Sequence, residues 1–572
     1  MRARDNSSVY RVIAAGLLIA HAACAQTPVI LISIDTLRAD HLGAYGYSRI
    51  KTPHLDAMAK GGTLFTAIDA QIPLTLPSHT SLLTSTYPFA NHIEENGAIV
   101  GPGAVTLESV LRARGYRTAA FIGSVVLDRR YGLDQGFDVY DSPFQSSDSA
   151  LDNAYSQRST RDATLVLRAA RQWLAANRDH PAFAFIHLYD LHLPYRLSGY
   201  SPLVASLAGY DAELQYVDDA LGRFQQALTQ SGLWDRALVV LLADHGEGLG
   251  DHGESGHGYF IYESTLHVPL IMHWPVGAAS HAERVTEPGG LIDVAPTILE
   301  FLHVPAPASF QGKSLFGGAH AVVSESAYAR DVLGWAALRG IRSGAKKYIE
   351  APQPELYDLL TDPGEKVNLD KRRADEARSL KHRVDEFLEA QKTPGPAPSG
   401  NTQALRSLGY LAGPSAQPGG SRVDPKDRIR EYEAYARAVG LMYAGRPAEA
   451  VSALRAIAVS DPHNNAVQTD LGHAYLAAGS PEKALAAWEA VVARDPAFTP
   501  AYEAEGFYWL ERGEFANAKA AFEKTLVRLP RDYEANLALS VADQKLGLKA
   551  EAEAHRKIVC ADSPATPGCA VP

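Results

Sequence analysis

Val29-Ile30-Leu31-Ile32-Ser33-Ile34-Asp35-Thr36-Leu37-Arg38-Ala39-Asp40-His41 decides the reading of this chain. Six nearly continuous apolar residues are too short for a helix, and a polar cluster follows at once. That is the pattern of a strand buried on both faces of a parallel sheet. Ala119–Ile122, Phe183–Leu188, Leu238–Leu242 and Val268–Met272 repeat it. Helical periodicity lies between them, as in Ala163–Ala176 and Tyr210–Ser231. Such alternation predicts an α/β domain with a mostly parallel central sheet covered by helices. Ligands of such sheets bind beyond the C-terminal strand ends.

Three of those strand ends carry acids and imidazoles: Asp35, then Asp190 and His192 after Phe183–Leu188, then Asp244, His245 and Glu247 after Leu238–Leu242. A carboxylate directly behind an apolar strand is costly to bury unless something pairs it. A single such Asp is usually a helix cap. Convergence of Asp35, Asp244 and His245 on one edge of the sheet would suit a divalent cation, since oxygen and imidazole ligands together do so. Between the first and last of these segments runs Pro73-Leu74-Thr75-Leu76-Pro77-Ser78-His79-Thr80-Ser81-Leu82-Leu83-Thr84. Pro77 is placed to open a helix. Thr75 then stands just before its positive end, where anions are favoured and where a hydroxyl touching a metal can become a nucleophile.

The chain has 572 residues, 46% apolar and 21% charged, so two or more globular domains are expected. Arg2, Arg4 and Arg11, the apolar run Val12–Ala20 and the small residues Ala23-Cys24-Ala25 fit a cleaved signal peptide over 1–25. Cys24 is a second-ranked candidate for lipid attachment, because His21 stands where that motif wants an aliphatic residue. The expected location is periplasmic or secreted, with no transmembrane segment after cleavage. Removing 1–25 moves the net charge from −11 to −13, which argues against nucleic acid as a partner. Cys560 and Cys569 then remain, and in an oxidising compartment they can close a small loop.

The α/β pattern covers 26–392, a Pro/Gly/Ser-rich linker 393–425, and a repeat region 426–572. Gly445, Gly479, Gly513 and Gly547 are 34 residues apart; so are Ala450, Ala484, Ala518 and Ala552, and Pro462, Pro496, Pro530 and Pro564. This resembles the tetratricopeptide repeat, a stack of helix pairs with a concave groove. The resemblance implies a protein or peptide partner; a purely structural cap on the enzyme is the alternative.

Asp35-Thr36-Leu37-Arg38-Ala39-Asp40-His41-Leu42-Gly43, the Pro-Ser-x-x-Ser-Leu-Leu-Thr block at 77–84, Asp244-His245-Gly246-Glu247, Tyr262-Glu263-Ser264 with Val268-Pro269-Leu270, and the segment Glu355 to Glu365 resemble the sulfatase family, in order. The match covers about 28–390 and implies the sulfatase and alkaline-phosphatase type of fold. Sulfatases carry Cys or Ser where this chain has Thr75, and convert it to formylglycine. A secondary alcohol cannot give that aldehyde, so no formylglycine is expected. His79 replaces the family's usual Arg, and Thr36 its usual second Asp. Thr75-Leu76-Pro77-Ser78-His79 is similar instead to the block of nucleotide pyrophosphatase/phosphodiesterases in which Thr is the nucleophile. Asn96 lies where those enzymes and phosphonate monoester hydrolases have an oxyanion-stabilising Asn.

The resemblance implies that Asp35, Thr75, Asp244 and His245 hold one divalent cation (Ca, Mg, Mn or Zn). Thr75, Asn96, His192 and His257 would be catalytic, and His79, Asn96, His192 and His257 would meet an anionic small-molecule, glycan or lipid ester. The expected reaction is hydrolysis of a phosphodiester or phosphomonoester. The alternatives are a sulfuric ester hydrolase, a phosphoryl transferase, a two-cation site using Asp190, His192 and His257, and an inactive repeat-based scaffold.

Overall fold

The computed structural model describes residues 27–144, 160–193, 195, 206–279, 281–391, 423–443 and 445–562. The signal-peptide expectation, most of the linker (with its apolar patch Leu405–Leu411) and Cys569 fall outside them. Cys560 is disulfide-bonded.

Among the described residues nine strands make the main sheet: β1 Val29–Ile34, β2 Thr63–Asp69, β3 Arg117–Phe121, β4 Val139–Asp141, β5 Ala182–Leu188, β6 Leu238–Leu242, β7 His267–His273, β8 Arg284–Val285 and β9 Gly289–Gly290. The order is β4-β3-β5-β1-β6-β7-β2-β8, with β9 also on β2. β1 lies between β5 and β6, parallel to both, with Ser33 level with His187 and Leu242. All five strands expected from their apolar runs are present. β7 departs from the expectation in direction: it is antiparallel to both β6 and β2. An apolar run records burial on two faces, and burial is the same whichever way the strand points.

Four further strands, β10 Val322–Ser326, β11 Leu338–Ser343, β12 Lys346–Glu350 and β13 Glu355–Asp358, form an antiparallel sheet. A buried ion network ties it to the main sheet. Lys347 Nζ reaches Glu263 at 2.8 Å and Glu365 at 3.0 Å, and Arg342 reaches Asp69 at 2.6 Å. The helices Ala163–Ala176 and Leu207–Gln230 pack near the expected positions, the second starting at the cap of Ser206.

Eight helices from Pro425–Tyr443 to Lys549–Asp562 form four hairpins. Gly445, Gly479, Gly513 and Gly547 end the first helix of each pair at positive φ, the left-handed conformation that a glycine takes without strain. Gly472 and Gly506, 34 residues apart, give room to the rings of Trp488 and Phe522. The array does not hang free. Ile429, Tyr435, Ala438 and Val439 belong to the same buried apolar cluster as Val29 and Phe183. Lys426 pairs with Glu355 at 2.8 Å, and at the far end Arg130 lies 6.0 Å from the ring of Tyr533. Among the described residues no helix is long and apolar enough to cross a membrane.

Candidate active site

Because β1 is parallel to both neighbours, the residues after β1, β5 and β6 emerge at the same rim. Asp35 and Asp244 are fully buried there with His245, and their ligand atoms lie within 4.8 Å of one another. Asp35 Oδ1 and Asp244 Oδ2 have no hydrogen-bond partner. Two orphaned carboxylate oxygens in a dry site need a positive charge between them. Without one, burial pushes Asp35 up to about 8, with Glu247 adding to the rise and His257 opposing it. Asp244 is driven well upward by burial and by Asp35. His245 Nδ1–H donates to Gly246 O at 2.9 Å, so Nε2 turns its lone pair toward the acids. The set therefore fits a divalent cation.

Thr75 opens the helix Thr75–Thr84, two residues earlier than Pro77 suggested, since proline is tolerated throughout a first turn. Its hydroxyl lies 3.4 Å from His245 Nε2. Ser78 Oγ donates to Asp244 O at 2.7 Å and so fixes this helix against the end of β6. Asn96 Oδ1 accepts the Leu76 N–H at 2.8 Å, while its buried Nδ2 has no partner and stays available as a donor. Thr36 holds φ at 57°, rare for a β-branched residue. Its N–H meets Asp244 Oδ1 at 3.3 Å and its O accepts from Tyr210 at 2.8 Å. That double hold keeps the strained turn that aims Asp35.

The imidazoles of His245, His257 and His192 form a row, 4.3 Å and 5.1 Å between ring centres. His257 Nδ1 lies 3.1 Å from Glu247 Oε1, an orienting carboxylate to which the motif reading gave no role. His192 Nδ1–H donates to Leu193 O at 2.6 Å, and its ring stacks on Tyr189. Burial, then His257, lowers its pKa well below the usual range.

Two expectations are corrected. His79 does not face a substrate: it is wholly buried behind Thr75, with Nδ1–H on Thr75 O at 2.7 Å and Nε2 on Ser33 Oγ at 2.8 Å. Nor do Asp190, His192 and His257 gather into a second cation site. Asp190 Oδ1 accepts the Ala163 N–H at 3.1 Å, anchoring the helix that follows. The other cation-capable cluster among the described residues, His54–Asp218–Asp219, is largely exposed, and Asp218 is occupied capping the helix at Pro53. His187 was missed. Its Nε2–H meets Asp35 Oδ2 at 3.2 Å, and burial lowers its pKa to about 3, so it is a neutral donor that orients the acid. Its only sequence signal is a lone histidine in an apolar strand.

The fold is the mostly parallel, mixed-sheet α/β fold of solved sulfatases, and its rim holds a cluster of acids and an imidazole that could bind a metal ion. Residues 27–304 match the sulfatase family model and residues 441–504 a tetratricopeptide-repeat model. The chain thus carries a domain that matches the sulfatase family, followed by a segment that matches tetratricopeptide repeats. The ulvan-active sulfatase of Formosa agariphila is 25% identical over 331 residues, half of this chain; the chain spans 64% of that protein. A multifunctional alkaline phosphatase superfamily protein of Trinickia caryophylli is 38% identical over 109 residues, 19% of this chain and 21% of its own. The phosphonate monoester hydrolase of Agrobacterium radiobacter superposes with TM-score 0.52 at 22% identity. It covers 64% of this chain and 96% of its own.

Proposed function

We propose that this protein is a metal-dependent ester hydrolase in which Thr75 is the nucleophile, acting on phosphodiesters or phosphomonoesters. The observation that carries the reading is the Thr75 hydroxyl at a helix N-terminus, beside His245 and the orphaned oxygens of Asp35 and Asp244. Asp35, Asp244, His245 and Thr75 would hold one cation, and the imidazole in the set favours Mn or Zn over Ca. When bound, it would lower the hydroxyl's pKa and neutralise the ester's charge. Thr75 Oγ gives up its proton to solvent and forms a bond to phosphorus as the bond to the leaving oxygen breaks. His257, held by Glu247, gives that oxygen its proton. Asn96 Nδ2–H donates to the non-bridging oxygen that gains charge. Water then cleaves the phosphothreonine and restores the hydroxyl.

Two relatives' names favour different esters. The ulvan-active sulfatase supports sulfate; the phosphonate monoester hydrolase fold and the alcohol nucleophile support phosphorus. Without an aldehyde hydrate the nucleophile cannot expel sulfate by carbon–oxygen cleavage, so phosphorus is preferred. Rates on aryl phosphodiester, phosphomonoester, phosphonate and sulfate substrates, for wild type and Thr75→Ala, test both. Thr75→Ala loses several orders of magnitude in kcat. Equal rates for the two proteins exclude the nucleophile. We also propose a signal peptide over 1–25, export to the periplasm or beyond, a hydrolase domain over 26–392, a linker over 393–425 and a partner-binding array over 426–572.

A further inference from the structure

His257 follows a loop that doubles back on itself. Gly248 N–H donates to Gly256 O at 2.6 Å, Leu249 N–H to Ser255 O at 3.0 Å and Gly250 N–H to Glu254 O at 2.8 Å. The crossing is so close that a Cβ on Gly248 would stand 2.2 Å from Glu254 O. Leu249, Gly250, His252, Gly253 and Gly258 all hold positive φ. A glycine-rich segment of this kind has many alternative conformations and needs outside contacts to hold one.

One limb is held by the hydrolase domain. Arg38 donates to Glu247 O at 3.0 Å and Gly248 O at 3.2 Å, and pairs with Asp251 at 2.8 Å. The other limb is held by the repeat array. Glu433, on the helix Pro425–Tyr443, accepts the Ser255 N–H at 2.8 Å and also the Ser255 hydroxyl. Beside it Ile429 faces Gly253, and the ring of Tyr432 lies 3.9 Å from that of Tyr259. The repeat pattern itself breaks at this position. At intervals of 34, Glu433 corresponds to Val467, Ala501 and Ala535, all buried apolar residues. Those three pack within the stack. Among the described residues no helix pair precedes the first repeat, and the active-site loop takes that place.

We propose that Glu433 is a positioning residue of the hydrolase site. Acting through Ser255, two residues before His257, it keeps that imidazole against Glu247 and His245. The inference rests on the proposed role of His257 as proton donor. A carboxylate taking both donors of one serine fixes its position and its rotation together, and those hydrogen bonds are charge-assisted.

The test uses the full-length protein, its divalent metal, and two esters of the acid that wild type turns over, one with a nitrophenyl and one with an alkyl leaving group. Glu433→Ala lowers kcat on the alkyl ester by about 10- to 100-fold. It affects the nitrophenyl ester much less, since that leaving group needs little proton donation, and leaves KM nearly constant. Glu433→Gln, which keeps one acceptor, recovers most of the loss. Lys426→Ala, which breaks a docking contact away from the loop, changes nothing. In a His257→Ala background the Glu433→Ala effect disappears. An undiminished effect in that background, or equal losses on the two esters, overturns the proposal. Should Glu433→Ala not fold, Ser255→Ala, which removes the hydroxyl held by Glu433, carries the same comparison.

Amide hydrogen exchange of residues 253–258 separates this inference from the functional reading. Glu433→Ala speeds exchange there about tenfold or more without any substrate. Absence of turnover by wild type defeats the functional reading alone, while unchanged exchange in Glu433→Ala defeats the positioning role.

Discussion

Glu108 provides a stability test at a distance from the proposed chemistry. It lies in the first turn of the helix Leu107–Ala113, fully buried, and neither carboxylate oxygen has a hydrogen-bond partner. Burial outweighs the weak opposing pull of the nearby Thr106 side chain and of Glu108's own backbone N–H, pushing the carboxyl up to about 8 from 4.5. Below pH 4.5 folded and unfolded chains both hold the proton. Between 4.5 and about 8 only the folded chain holds it, so stability falls with rising pH at about 1.4 kcal/mol per unit, to a ceiling of about 5 kcal/mol. Glu108→Gln keeps the shape and removes the titration, while its unpaired amide costs roughly 1–3 kcal/mol. The variant is therefore more stable than wild type at pH 8 by about 2–4 kcal/mol and loses that advantage by pH 5. Urea melts of both proteins at pH 5, 6.5 and 8 read the difference. Two stability curves that stay parallel across this range would refute the argument.

Asn96→Asp keeps the acceptor for Leu76 N–H and removes the unpartnered Nδ2 donor of the proposed mechanism, so kcat falls by about 100-fold or more with the melting temperature little changed. Lys347→Met leaves Glu263 and Glu365 buried without their ammonium and destabilises by about 3–5 kcal/mol at pH 7, read as a drop in the urea midpoint. Glu263 is held at about 2 against burial, first by Lys347 and then by Arg342. Its depressed pKa gives stability that is full above pH 4.5 and lost toward pH 2, so the gap between variant and wild type narrows over that interval.

The strands that position the site were legible because a strand buried on both faces has no polar alternation to hide it. Direction was not legible, which is why β7 was read as parallel. β2 was missed because Thr63, Thr66 and Asp69 interrupt its apolar run. Asp35, Asp244, His245 and Thr75 could be read from their positions after strands and before a helix, and the structure brings all four together. His187 could not, since a histidine inside a strand is announced only by what lies across the sheet from it. His79 was read as substrate-binding because it takes the place of a longer cation, whereas an imidazole is short enough to be absorbed between Ser33 and Thr75. Glu433 is 178 residues from Ser255, and no periodicity in either segment refers to the other.

Tandem repeats ordinarily lengthen and shorten by whole units, because each meets only its neighbours. Here both ends of the array touch the same globular body, through Tyr432 on Tyr259 and Tyr533 near Arg130. Adding or deleting one 34-residue unit would carry Tyr533 away from its landing point, much as a span must match the distance between its piers. The number of units is therefore set by the width of the domain beneath them, and lineages of this protein should vary in the faces of the middle helices before they vary in repeat count.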